Sequence, residues 1–331
     1  MKLWKRQPAI GIGIGVGLAG AIALAIRARV ARTASNLIPD GISPAIFATR
    51  VAQTRHGEMI YHISGSGRPV VFLHGVFIGA SSYEWSKVYP RFALNNEVVA
   101  TDLIGFGESQ RPSEPMDAEK YVESLADFLG EISRGLPPVI VASGLTAGMA
   151  LLLAAKHPEL VSRLVLFLPT SLRAFRKWRA MGLVPLSGLA SINRFVYRNY
   201  LARAPFIRNW LTRFALANPE SLTEEMVSIL ATCAQQYGAE HALLGLARGR
   251  EAFDVESRLA DILAPVHILW PGAAPAIFVP SNAEALCSRI PQASMDIVPG
   301  CGLLAALESP DLMASALSGI LDGPHQVSGA A

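Results

Sequence analysis

Apolar residues along this chain fall into three rhythms, and each predicts a different part of the molecule. Residues 8–26, PAIGIGIGVGLAGAIALAI, carry no charge. As a helix this run spans roughly 28 Å, close to the hydrocarbon thickness of a bilayer. From 56 to 170 short apolar runs alternate with helical stretches: VVFL (70–73), EVVATD (97–102), PVIVA (138–142) and LVLFL (164–168). Strand and helix in turn at this spacing predict a mostly parallel sheet covered on both faces. From 171 to 254 the pattern is helical and poor in strands. It returns to strands with VHILW (266–270) and MDIV (295–298), followed by a last helix near 308–321. A helical stretch set between strands of one sheet is a cap.

The resulting organisation is a basic N-terminal segment (1–7), an anchor (8–26) and a linker (27–55) carrying Pro39, Gly41 and Pro44. The first part of an α/β core (56–170), a helical cap (171–254), the second part of the core (255–323) and a tail (324–331) follow. Lys2, Lys5 and Arg6 precede the apolar run, and Arg27, Arg29 and Arg32 follow it. A cleaved signal would be shorter and end in small residues, so a retained single-pass anchor is the expectation. Positive charge on both flanks leaves its orientation open. Gly11/Gly15 and Gly13/Gly17 have the small-xxx-small spacing that packs helices in lipid.

Composition changes this picture little. The 331 residues are 51% apolar and 17% charged, with a net charge of +3, too small to imply nucleic acid by itself. Cys233, Cys287 and Cys301 are odd in number and widely spaced, which fits thiols in a reducing compartment rather than a disulfide framework. No Cys/His cluster suggests a metal, and no cofactor motif is present.

Four segments, in order, carry a family likeness: HGVFIGASSYEW (74–85), DLIGFGESQRP (102–112), HPELVSRLVLFLP (157–169) and VPSNAEALCSRIPQASMDIVPGCGLLAALESP (279–310). They resemble the α/β-hydrolase superfamily, in its cap-bearing branch of esterases, epoxide hydrolases and dehalogenases. The resemblance covers roughly residues 56–323. It implies an α/β-hydrolase fold with the cap inserted after strand 6, and it allows the catalytic positions to be tested one by one.

The family's Gly-x-Ser-x-Gly elbow falls on Ala142-Ser143-Gly144-Leu145-Thr146, so the nucleophile position is Gly144. The acid position after the next-to-last strand, in WPGAAP (270–275), is Ala274. The base position, in GCGLL (300–304), is Leu303. Glycine cannot attack, and neither alanine nor leucine can orient or accept a proton. No catalytic residue is therefore assigned. The oxyanion side remains: backbone N–H groups after His74-Gly75, near Val76 and Phe77, would face one from Leu145. With Ser143, Gly144, Ala274 and Leu303 they would line a pocket for an apolar ligand. Ser143 and His74 are the candidates for relocated chemistry, against the simpler reading that each holds its own loop. Thr146 is expected to cap the helix, His267 to be a satisfied core residue, Asp102 to stabilise its turn and Glu308 to open the last helix.

Between 171 and 219 nine basic residues occur without an acid. Arg173, Arg176, Lys177 and Arg179 surround Trp178; Arg194, Arg198, Arg203, Arg208 and Arg213 interleave with further aromatics. Basic and aromatic residues on helices suit an interface with anionic lipid. The alternative is a solvated cap whose aromatics pack inward. Nucleic acid also suits a basic patch, but beside an anchor it is not the expected partner. Three readings follow: a membrane-tethered, catalytically inactive member binding an apolar ligand, lipid or protein; an active hydrolase or lyase using non-standard residues; or a structural subunit of a membrane protein assembly.

Overall fold

The computed structural model describes residues 47–114, 116–133, 135–170, 189–248 and 255–321. The expected anchor at 8–26, the residues Arg173, Arg176, Lys177, Trp178 and Arg179, and the tail from 324 lie outside the described residues. Among the described residues no helix is long and apolar enough to cross a membrane.

Eight strands form one sheet: β1 (Ala48–Thr54), β2 (Gly57–Ser64), β3 (Arg68–Leu73), β4 (Asn96–Thr101), β5 (Val139–Ser143), β6 (Arg163–Phe167), β7 (Val266–Pro271) and β8 (Ala293–Val298). Their order is β1-β2-β4-β3-β5-β6-β7-β8, and every pairing from β4 onward is parallel. Helices between strands supply the crossovers that parallel pairing demands. The central strands β3, β5 and β6 are buried along almost their whole length, which explains their uninterrupted apolar runs.

The sheet starts earlier than the sequence suggested. β1 lies inside the segment assigned to the linker and forms a hairpin with β2, from Ala48↔Ile63 to Thr54↔Gly57. Of β1 only Ala52 is fully buried, so its outward polar positions give no apolar period to read.

Helix α1 (Ala118–Ile132) is capped by Asp117, whose carboxylate accepts from the Lys120 N–H at 2.9 Å. Helix α2 (Gly144–Lys156) is buried on all sides from Leu145 to Ala155, which fits its nearly charge-free sequence. The cap comprises α3 (Ala190–Val196), continued by a π-helical turn to Leu201, then α4 (Ala204–Trp210), α5 (Glu224–Ala234) and α6 (Ala239–Arg248). After β7 come α7 (Ser281–Cys287), α8 (Ala305–Glu308) and α9 (Pro310–Leu321). The cap has its own apolar core, and Tyr83, Leu304 and Leu307 from the sheet domain reach into it. The cap is thus packed down onto the loops that carry the site.

Candidate functional site

The turn from β5 into α2 keeps the geometry of a nucleophile elbow. Ser143 is extended, with φ −121° and ψ 154°, and Gly144 then turns left-handed at φ +57° as the first residue of the helix. Side chains rarely adopt that conformation, and holding one there stores strain. Space is not what excludes a side chain: a Cβ on Gly144 would meet nothing nearer than the Gly75 Cα at 3.9 Å. The Gly144 carbonyl accepts from the Thr170 N–H at 3.0 Å, just beyond Leu168, which is itself left-handed at φ +49°.

Beneath the elbow lies a group to which sequence reasoning gave no role. Glu84, only 3% exposed, sits between Tyr83 and Trp85 in a buried 3-10 turn. Its Oε1 accepts the Ser143 hydroxyl at 2.6 Å and its Oε2 accepts the Gly75 N–H at 2.7 Å. Burial raises its pKa to about 7, against the pull of those two hydrogen bonds toward the ionised form. The available signal was a lone acidic residue inside an aromatic, otherwise apolar turn. Ser143 is buried as well, and through Glu84 its hydroxyl links the β5 tip to the His-Gly loop.

His74 is likewise committed to structure. Its Nε2 accepts from the Leu103 N–H at 3.0 Å, so the proton resides on Nδ1, which donates to the Gly75 carbonyl at 2.7 Å. Burial pushes its pKa down, and the ring is neutral. Asp102 accepts from the N–H groups of Ser82 and Glu108, at 2.6 and 2.7 Å, and so holds its turn as expected.

The loops that carry Ala274 and Leu303, the expected acid and base positions, are joined through the backbone. The Ala273 N–H donates to the Cys301 carbonyl at 3.1 Å, and Ala274 and Leu303 both pack against the sheet core. The Leu303 N–H donates to the Ala215 carbonyl of the cap at 2.7 Å. Glu308 closes α8 instead of opening a helix. Its carboxylate accepts from the Gly302 N–H at 2.8 Å and the Asn218 N–H at 2.6 Å, bridging loop and cap. The Phe77 ring stacks on Trp210 of α4 at 5.7 Å. Thr146 does not cap α2: its hydroxyl is buried without a hydrogen-bond partner. The cysteines are free, and burial raises Cys301 to about 11, which leaves it an unreactive thiol.

His267 is satisfied but does not belong to the core. Its Nε2 lies 2.9 Å from Asp296 Oδ2 and its Nδ1 2.8 Å from Ser294 Oγ, across β7 and β8. The three residues share one face of the sheet beside a groove of about 460 Å³ that Arg163 also lines. Ser294 and Asp296 are exposed on the edge strand, so solvent competes for every contact of this trio.

An eight-stranded, mostly parallel sheet, a left-handed turn from β5 into the central helix and a helical cap define a protein of the α/β-hydrolase class. The sequence profile of the alpha/beta hydrolase family matches residues 70–316, well over half of the chain, and the chain belongs to that family. Among curated relatives, a 2-hydroxymuconate semialdehyde hydrolase of Pseudomonas sp. strain CF600 is 35% identical over 107 residues, 32% of this chain and 38% of that protein. An uncharacterised Mycobacterium tuberculosis protein is 34% identical over 117 residues, 34% of this chain and 33% of that one. Such matches span well under two thirds of those relatives' length. Among solved structures, a membrane phospholipase A described as a bacterial virulence factor superposes with a TM-score of 0.68 at 23% identity, covering 94% of this chain and 97% of that one. An esterase from Thermogutta terrifontis gives 0.67 at 21%, covering 84% and 100%. These likenesses concern the fold.

Proposed function

We propose that this chain is a membrane-tethered member of the family that recognises an apolar ligand at the old active site and does not hydrolyse it. The observation that carries the reading is Gly144: the elbow is built, with room at its tip, yet it presents no nucleophile. Ala274 and Leu303 at the other two catalytic positions point the same way, since both extend the apolar lining. The N–H groups of a helix's first turn lack intrahelical acceptors, so the Leu145 end of α2 offers a donor to a ligand carbonyl, opposite Val76 and Phe77. Membrane lipid is the favoured ligand source. The anchor expected at 8–26 would hold the domain at a bilayer, and α3 with its flanking residues adds an outward apolar set, Leu189, Ile192, Phe195 and Tyr200, beside exposed Arg194 and Arg198. Organic extraction and mass spectrometry of chain purified from membranes should return a defined apolar molecule in near-stoichiometric amount. A Leu303→Glu variant should lose it. An empty extract at saturating protein counts against the proposal.

The Glu84–Ser143 contact favours a second reading, in which a hydroxyl beside a carboxyl group titrating near neutrality performs relocated chemistry. A fluorophosphonate probe separates the two. Labelling mapped to Ser143 and abolished by Ser143→Ala would establish the enzyme and reject the binding protein. Label on Ser294 would place any reactivity in the groove by β8 instead. The glycine spacings at 11–17 and the outward face of α3 also suit a subunit of a membrane assembly. Partners copurifying at fixed stoichiometry in mild detergent would support that role.

A further inference from the structure

We infer that His62, Asp102 and Glu108 form a binding site for one divalent transition-metal ion, at the junction of β2 with the loop that follows β4. The three side chains each bring a ligand atom within 4.8 Å of the other two. An ion with bonds of about 2.1 Å needs its ligand atoms roughly 3.4 Å apart in a tetrahedron. The His62 Nε2 is already 3.9 Å from Glu108 Oε2. Glu108, whose side chain is 34% exposed, has the freedom to swing the remaining distance.

The independent observation is the imidazole itself. His62 is 2% exposed, and its Nε2 has no hydrogen-bond partner. A buried ring nitrogen left without a hydrogen-bond partner is destabilising, so it calls for one. The other nitrogen, Nδ1, lies 3.1 Å from the Thr49 hydroxyl. With the Nδ1 proton donated there, Nε2 turns its lone pair toward the two carboxylates, the tautomer and outer-shell contact that a metal-bound histidine has.

Asp102 can join without giving up its turn. Its two oxygens accept one backbone N–H each, and a carboxylate has about four acceptor positions. Charge also favours an ion. Among the described residues Arg111 interacts with both carboxylates, one positive charge against two negative ones. One imidazole with two carboxylates suits zinc, cobalt or manganese, with water completing the shell, better than the all-oxygen preference of calcium or magnesium. The ion would pin the hairpin of β1 and β2 to the Asp-x-x-Gly loop, one hydrogen bond from His74 through the Leu103 N–H.

The test is calorimetric titration of Zn²⁺ and Mn²⁺ into the chelator-stripped full chain in detergent, with thermal unfolding in parallel. Expected are one site per chain, a raised Tm with metal, and an affinity loss of about tenfold or more in both His62→Gln and Glu108→Gln. His267→Gln, at the other His/Asp contact, should bind like the parent. If His62→Gln fails to fold, Glu108→Gln decides, because that side chain is half-exposed and its loss leaves the core intact. Absence of saturable binding at millimolar metal overturns the inference, as does affinity undiminished by either substitution.

Discussion

Glu84 sets the first expectation at the scale of single residues. Folded, it keeps its proton until about pH 7; unfolded, it ionises around its ordinary value of 4.5. Between those values the folded state binds more protons than the unfolded, so stability falls as pH rises from 4.5 to 7 and is level above. At about 1.4 kcal/mol per unit, the loss over that window is about 3 kcal/mol. Glu84→Gln keeps an acceptor for the Gly75 N–H and cannot ionise. Urea denaturation at several pH values should show this variant less stable than or equal to the parent at pH 5, and more stable at pH 8. A parent whose stability is flat or rising across the window would mean that Glu84 is ionised throughout. Gly144 supports a second expectation. Serine there has room but must take a left-handed conformation, costing about 1–2 kcal/mol. Gly144→Ser should fold with that loss and show no p-nitrophenyl ester turnover, because neither Leu303 nor Ala274 can serve it. Measurable turnover by the single variant would reveal a base that the three-position argument overlooks. The proposed assignment of Gly144, Ala274 and Leu303 to the catalytic positions comes from sequence alone, where an absent functional group is visible without geometry. Glu84 was not legible, because its role depends on Ser143 at the end of β5 and Gly75 in the loop after β3 being brought to it.

At the scale of elements, the cap is held to the loop after β8 by a seam of hydrogen bonds. At Gly302 the two backbones come close: a Cβ there would lie 2.4 Å from the Ala215 carbonyl oxygen and 2.7 Å from the Ala217 nitrogen. Both are main-chain atoms and cannot rotate aside, so Gly302→Ala has to push the 215–217 segment away. Overpacking of this kind costs about 1–3 kcal/mol. Glu308→Ala removes the acceptor of two N–H groups on the same seam. Both variants should speed amide exchange at 215–218 and 302–303 while leaving β3, β5 and β6 as protected as in the parent. Uniform loss of protection would mean that cap and sheet unfold as one body. The buried strands were readable because apolar runs bounded by turns leave little choice. β1 escaped because a half-exposed hairpin strand has no apolar period. His267 was misplaced because it is the one partly exposed residue of an otherwise buried apolar strand, and its partners Ser294 and Asp296 lie on an edge strand that local sequence does not specify.

At the scale of the whole molecule, the question is what the cap faces. Its described part turns Leu189, Ile192, Phe195 and Tyr200 outward on α3 and the π-helical turn, an arrangement that solvent does not reward. Arg194 and Arg198 are exposed on the same stretch, although Arg198 also pairs with Glu240. An apolar strip flanked by arginine gains from burial at a bilayer surface, and from about 1 kcal/mol per basic residue where the lipid is anionic. An assembly partner would cover the apolar strip irrespective of lipid charge. The two cases therefore differ in one variable. Full chain reconstituted in vesicles of neutral lipid, and again with a third of the lipid anionic, should show slowed amide exchange over 189–203 only in the second. Added salt should reverse that slowing, because screening weakens surface electrostatics. An Arg194→Glu substitution should reduce the slowing without altering exchange in the sheet. Protection that is equal in both vesicles and insensitive to salt would exclude the lipid-facing cap and leave a protein partner as the occupant of α3.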